Sequence, residues 1–182
     1  MFDDCIVLKN RIITFFIFMG IFSISFQIGA MSEVDDAESN SFVQEFLSNT
    51  GEIDGLGIFQ NNSFVALPMF IPGIGIIHGA YSAWSTGFGF AAIISMAPGL
   101  AEIQPLSILY LSPFGVMELV AYSISMSRSF HIAYVFFKRV NLKSLIKPTV
   151  IEIGVVVAIL FAAGFLEEYM IALAQEGASL FG

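Results

Sequence analysis

The chain has 182 residues, of which 57% are hydrophobic and only 12% are charged, and its formal net charge is −8 at pH 7. Soluble domains usually carry about a quarter charged residues, so this composition excludes an ordinary soluble globular protein. The acidic balance excludes nucleic-acid binding through a basic surface. Since Cys5 is the single cysteine, an internal disulfide is excluded as well. We therefore predict one integral membrane domain over residues 1–182, multi-pass in the cell membrane.

The first predicted element is an apolar segment over residues 12–30, directly after the basic residues Lys9 and Arg11. About 20 apolar residues cross a bilayer as a helix, and basic flanking residues favour the cytoplasmic side. The segment predicts a first transmembrane helix with the N-terminus in the cytoplasm. A cleaved signal peptide is the alternative, although its apolar region normally has only about 7 to 15 residues.

An acidic loop over residues 32–57 follows, and its sequence contains neither lysine nor arginine. Loops without basic residues tend to lie outside, so this loop is predicted on the outer side. Residues 41–48 space apolar side chains four apart, which is typical of a short amphipathic helix on the membrane surface; a solvated helical turn is the alternative. The basic connection at residues 138–147 is predicted in the cytoplasm, so an odd number of crossings separates the two loops.

Three crossings fit the stretch between these loops, with segments near residues 59–81, 88–100 and 113–137. A fifth segment near residues 149–173 takes the chain outward again. The third segment has only about 13 residues, fewer than a full crossing requires, so it is predicted as re-entrant or sheltered by other helices. The predicted fold is an all-α, polytopic transmembrane helix bundle of about five segments, with broken or re-entrant central helices.

Prolines and glycines interrupt the central segments. Proline removes a backbone donor and disturbs the preceding turn, whereas small residues let neighbouring helices approach closely. Broken helices serve tight packing, and they also occur at transport sites. The predicted break and packing positions are Pro68, Pro72, Gly73, Gly79, Pro113 and Gly115.

Charged and strongly polar side chains within the segments form two groups by depth. Such groups are costly in hydrocarbon, so each indicates a site. Asn62, Glu118 and Glu167 fall near the outer end, and we predict that they converge in one polar cluster with a structural or a transport role. Contact with interfacial water is the alternative. At the inner end, Arg128 and Glu152 fall at similar depth and predict an ion pair between two helices.

The sequence predicts neither a metal nor a cofactor. His78 and His131 have no second ligand three or four residues away, so they do not form a metal motif. No catalytic residue is predicted either, because the sequence offers no recognisable nucleophile with a base and no nucleotide-binding loop.

Three separated segments resemble the stage II sporulation protein M family in order and spacing. Residues 59–79 have an FxNNxxVAL start followed by a spaced glycine; residues 112–121 (SPFGVMELVA) are similar to the family's Pro-His-Gly-x-x-Glu-x-x-Ala; and residues 162–169 (AAGFLEEY) are similar to its Ala-x-x-Ile-Glu-x-Phe segment. Phe114 stands where the family motif has histidine, so any role of that imidazole is lost or moved. The resemblance implies architectural and polar-cluster roles for Asn62, Gly73, Pro113, Gly115, Glu118 and Glu167.

The resemblance also implies a kind of function. The sporulation member of the family is understood as a membrane partner of a cell-wall-degrading engulfment machine, whereas most relatives have no settled role. We therefore predict a non-enzymatic scaffold or accessory subunit of a membrane complex. Its expected partners are the lipid bilayer, other membrane proteins or further copies of itself. A small transporter or channel with an outer-side intramembrane carboxylate site is the alternative.

Overall fold

The computed structural model describes residues 2–35, 54–96, 103–139 and 142–175. Within these ranges the chain forms only helices, which confirms the predicted all-α class. The predicted surface helix at residues 41–48 lies outside the described residues, as do residues 97–100 of the predicted third segment. The helices are α1 (Phe2–Ala30), α2 (Gly55–Ala66), a 3-10 helix (Leu67–Phe70), α3 (Ile74–Met96), α4 (Pro105–Leu111), α5 (Pro113–Phe137) and α6 (Lys143–Gln175).

Two described helices are long and apolar enough to cross a membrane by themselves, over Asn10–Ala30 and Lys143–Leu173. Helices α4 and α5 together meet the same criterion, but they are bent by 87° at the break between them. Length and composition therefore identify two spans, or three if the bent pair counts as one. The predicted number of about five segments is not confirmed by these criteria.

The predicted second segment, residues 59–81, is divided between two helices that run in opposite directions. Helix α2 tightens into the 3-10 helix, and the backbone then turns at Pro72 and Gly73 before α3 begins. Gly73 has a φ of 76°, a conformation that residues with a Cβ rarely adopt. Pro68 and Pro72 lack backbone donors, so each removes a hydrogen bond from the α-helical ladder at this point. The chain reverses fully here, where the sequence predicts a single segment over residues 59–81 with breaks at Pro68 and Pro72.

Helix α3 also contains residues 88–96 of the predicted third segment, so the two predicted segments share one unbroken helix. Glycine weakens a helix interior by about 1 kcal/mol relative to alanine but does not end it. Gly87 instead allows a close contact between helices, because a Cβ there would collide with the backbone carbonyl of Phe26 on α1. Gly29 has the same relationship to the carbonyl of Trp84. The α1–α3 contact therefore depends on glycine from both helices.

Helix α6 begins at Lys143, six residues before the predicted start of the fifth segment at residue 149. Pro148 therefore lies inside this helix rather than in front of it. The Thr149 hydroxyl donates to the Leu145 carbonyl at 2.7 Å, so the turn around the proline keeps a side-chain hydrogen bond. Pro148 removes one backbone hydrogen bond from the second turn of α6, and the helix continues to Gln175 beyond it.

Side-chain contacts show the relative directions of the helices. Helices α1 and α5 are antiparallel, since Thr14 contacts His131 at one end and Phe22 stacks on Tyr122 farther along. The α5–α6, α2–α6 and α3–α5 pairs are antiparallel in the same way. Helices α1, α3 and α6 therefore run in one direction, and α2 and α5 run in the other. The core between them is apolar and includes Phe18, Phe22, Phe26, Met69, Leu119, Met126, Val156 and Leu160.

Candidate functional site

Three charged side chains meet at the end of the bundle where α1 and α6 begin. We call Arg11, Arg128 and Glu152 the inner ion cluster. Arg128 Nε donates to Glu152 Oε2 at 2.6 Å and its Nη2 donates to Oε1, while Arg11 Nη2 donates to Oε1 at 2.6 Å. The three side chains are 5%, 17% and 22% exposed in the order Arg128, Arg11, Glu152. The Glu152 carboxylate on α6 therefore accepts two charged hydrogen bonds from Arg128 on α5 and one from Arg11 on α1, and so links the three helices.

Polar side chains extend this cluster on both flanks. Arg11 Nη1 donates to the Ser127 hydroxyl at 3.2 Å, and the hydroxyl of Thr14 lies 2.8 Å from His131 Nε2. The Ser129 hydroxyl donates at 2.6 Å to the carbonyl of Ile71, in the turn between the 3-10 helix and α3. The inner end of α5 thus carries hydrogen bonds to α1, to α6 and to the reversal before α3.

A second group, the outer polar cluster, lies at the opposite end of α5. The buried Asn62 on α2 donates its amide Nδ2 to Glu118 Oε1 at 2.5 Å. Glu167 on α6 lies close enough for its charge to act on Glu118, and both carboxylates act on the buried Tyr122. The structure therefore brings Asn62, Glu118 and Glu167 to one place, where α2, α5 and α6 meet.

The sequence pattern does not identify two members of these clusters, Arg11 and Tyr122. Arg11 comes just before the first apolar segment, where a basic residue indicates orientation and needs no other explanation. A signal was nevertheless available, because Arg11 falls at the same depth as Glu152. Tyr122 carries no such signal, since an aromatic residue in an apolar helix is usually part of the core.

The predicted break and packing residues lie at helix ends and helix contacts. Pro113 occupies the first turn of α5, whose N-cap Ser112 accepts from the Gly115 backbone N–H at 3.1 Å. A Cβ on Gly115 would collide with the Ile108 carbonyl, so this glycine permits the sharp bend between α4 and α5. Gly79 allows Met126 to pack directly against α3.

Among the described residues, the outer polar cluster forms no metal site, and it lies away from the two grooves at the inner end of α5. In the part of the chain that the structure describes, no group of three or more His, Cys, Asp or Glu side chains could hold a metal ion. His78 instead contacts the Val65 carbonyl at 3.1 Å. Two surface grooves lie at the inner end of α5, and neither is lined by Glu118 or Glu167.

Comparison with known proteins gives a family match. The model of the family described as stage II sporulation protein M matches residues 12–170. No curated protein and no solved structure matches the chain significantly. The matched range begins just after Arg11 and includes both glutamates of the outer polar cluster. With its apolar helices and a family match over most of its length, this membrane protein belongs to the stage II sporulation protein M family.

Proposed function

We propose that this protein is a non-enzymatic scaffold or accessory subunit of a membrane complex. The proposal rests on one observation: the charged side chains within the helices bind side chains of neighbouring helices in the same protein. Glu152 is bound by Arg11 and Arg128, and Glu118 is bound by Asn62. Groups of this kind mark pathways or helix contacts in membranes, and here they connect the protein's own helices. Such connections hold α1, α2, α5 and α6 in one arrangement, which is what a binding platform requires.

As part of this proposal, the chain crosses the membrane five times and its N-terminus lies in the cytoplasm. Helices α1, α3 and α6 alternate in direction with α2 and α5, as successive crossings do. Helix α2 is short, but with the 3-10 helix it runs from Gly55, beside Phe165 and Glu168, to Ile71, beside Ser129. The lysines and arginines of the connection at residues 138–147 favour the cytoplasm for that end of α5.

Partners of the scaffold would be other membrane proteins or further copies of this chain. Large apolar side chains project from the bundle, for example Phe16 and Ile24 on α1 and Phe64 on α2. In a bilayer such surfaces contact lipid or another helix, and van der Waals packing drives helix association there. The outward faces of α1 and α2 therefore offer contact area for a second membrane protein.

A pull-down from the native membrane tests this function. Tagged protein is extracted in a gentle detergent, and the proteins that remain bound are identified and quantified by mass spectrometry. A scaffold retains at least one partner in a fixed stoichiometry, and the Glu118→Gln variant retains it equally, since a scaffold needs no titrating carboxylate. A preparation containing only this chain as a monomer would contradict the proposal.

Transport is the second candidate, and the outer polar cluster favours it. Glu167 lies close enough to Glu118 to act on it, and two carboxylates this near to each other inside a helix bundle have the composition of a proton- or cation-coupling site. Liposomes that contain the protein and a pH-sensitive dye would then show a proton flux that Glu118→Gln abolishes. Glu168→Gln makes the same charge change beside Gly55 at the start of α2, and it serves as the matched control. A flux equal to that of empty liposomes would remove this candidate.

A further inference from the structure

Two neighbouring grooves lie on the surface at the inner end of α5. The first has a volume of about 540 Å³, and its walls include Ile76, Phe130, Tyr134 and Phe137. The second has a volume of about 510 Å³, and its walls include Phe136, Phe137 and Leu142. Phe137 is 80% exposed and lines both grooves. The two grooves share one aromatic wall, and the first is lined mainly by apolar side chains.

Each groove carries one basic residue. Lys138 lines the first groove, with its Nζ 5.8 Å from the centre of the Tyr134 ring, and Arg139 lines the second. These two residues are adjacent in the chain and both are exposed. A ligand of these grooves therefore needs an apolar part for the first groove and a negative group for the two cations. A phospholipid with an anionic headgroup has this composition: acyl chains joined to one phosphate.

The backbone of Arg139 gives an independent reason to assign it a role. Among the described residues, it is the non-glycine residue with a positive φ, at 54°. It follows the end of α5, and its N–H donates to the Phe136 carbonyl at 3.1 Å. Glycine is the usual residue at this position of a helix end, because a side chain is disfavoured in the left-handed conformation. Strained residues of this kind tend to occur at functional sites, where the side chain is needed.

We propose that the inner end of α5 binds an anionic phospholipid, with the phosphate at Lys138 and Arg139 and an acyl chain along the first groove, against Phe137. Basic recesses at the cytoplasmic ends of transmembrane helices recognise acidic headgroups in this way. The site agrees with the orientation proposed above, in which this end faces the cytoplasm. It does not depend on whether the protein acts as a scaffold or as a transporter.

Lipid retention by the purified full-length protein tests the site. The protein in mild detergent is incubated with phosphatidylglycerol or phosphatidylcholine, and the lipid that stays bound is measured by native mass spectrometry. We expect wild-type protein to retain phosphatidylglycerol preferentially. Lys138→Gln and Arg139→Gly should each lower that retention about fivefold, the factor typical of one basic residue near an anionic membrane surface. Lys147→Gln, an exposed residue of the same basic connection that lies outside the grooves, should leave it unchanged.

A second matched pair of variants tests the apolar part of the site. Phe137→Ala removes the shared wall, whereas Phe64→Ala removes an equally exposed phenylalanine, 78% exposed, from α2. Only the first change should reduce retention of phosphatidylglycerol. Equal retention of the two lipids by wild type, or equal losses within either matched pair, would overturn the proposal. Neither result affects the partner pull-down, so the two proposals fail independently.

Discussion

Glu152 and Arg128 form a two-point ion pair between α6 and α5, and Arg11 binds one of the same carboxylate oxygens from α1. Glu152→Gln would leave two partly buried guanidinium groups without their counter-charge. Breaking a buried charge pair typically costs about 3–5 kcal/mol, and we expect a loss of that order in the free energy of unfolding. Titration of the protein in mixed micelles with sodium dodecyl sulfate measures it. Glu33→Gln, at an exposed position after α1, should change it little.

Exchanging the charges of the pair tests whether Arg11 belongs to the same energetic unit. Arg128→Glu alone places two carboxylates together and should destabilise the protein strongly. Adding Glu152→Arg restores an opposite-charge pair but brings the new arginine to Arg11, so we expect only partial rescue. Adding Arg11→Gln as well should complete it. Full rescue in the double variant, measured by the same micelle titration, would show that Arg11 is not coupled to the pair.

The Asn62–Glu118 hydrogen bond is expected to hold α2 against α5. Asn62→Ala leaves a carboxylate without its amide donor in a half-buried position, which typically costs about 1–3 kcal/mol. Asn61→Ala, one residue earlier and exposed, is the matched control and should be close to neutral. Glu118→Gln keeps an acceptor for Asn62 and should cost less than Asn62→Ala. Similar losses for Asn61 and Asn62 would show that the bond does not stabilise the helix contact.

Depth along a helix can be inferred from the sequence, and it is enough to pair Arg128 with Glu152 and Asn62 with Glu118, the contacts seen in the structure. The direction in which a side chain points around its helix cannot be inferred in the same way. That direction depends on which helices are neighbours, and it decides that Arg11 joins the inner ion cluster. Prolines indicate where the helical hydrogen bonds are interrupted, but the reversal at Pro72 also requires the positive φ of Gly73.

The close contact between α1 and α3 gives a prediction about helix packing. Gly87→Ala would place a Cβ less than 3 Å from the backbone of α1, which cannot move without shifting the whole helix. We expect a loss of about 1–3 kcal/mol, as for other overpacked sites. Gly154→Ala is the control, because its Cβ would meet nothing within 4 Å and alanine is the better helix former. That variant should gain about 0.5–1 kcal/mol, so the two identical substitutions should shift the thermal midpoint in opposite directions.

Arg139 gives a prediction that separates backbone strain from side-chain function. The left-handed conformation costs a residue with a Cβ about 1–2 kcal/mol, and glycine avoids that cost. Arg139→Gly should therefore raise the thermal midpoint in detergent without added lipid. Arg139→Ala removes the same guanidinium but keeps the strain, so its midpoint should stay near that of wild type. If both variants unfold earlier than wild type, the guanidinium stabilises the fold itself. In that case, arginine occupies this position because it stabilises the fold, and lipid binding is not needed to explain it.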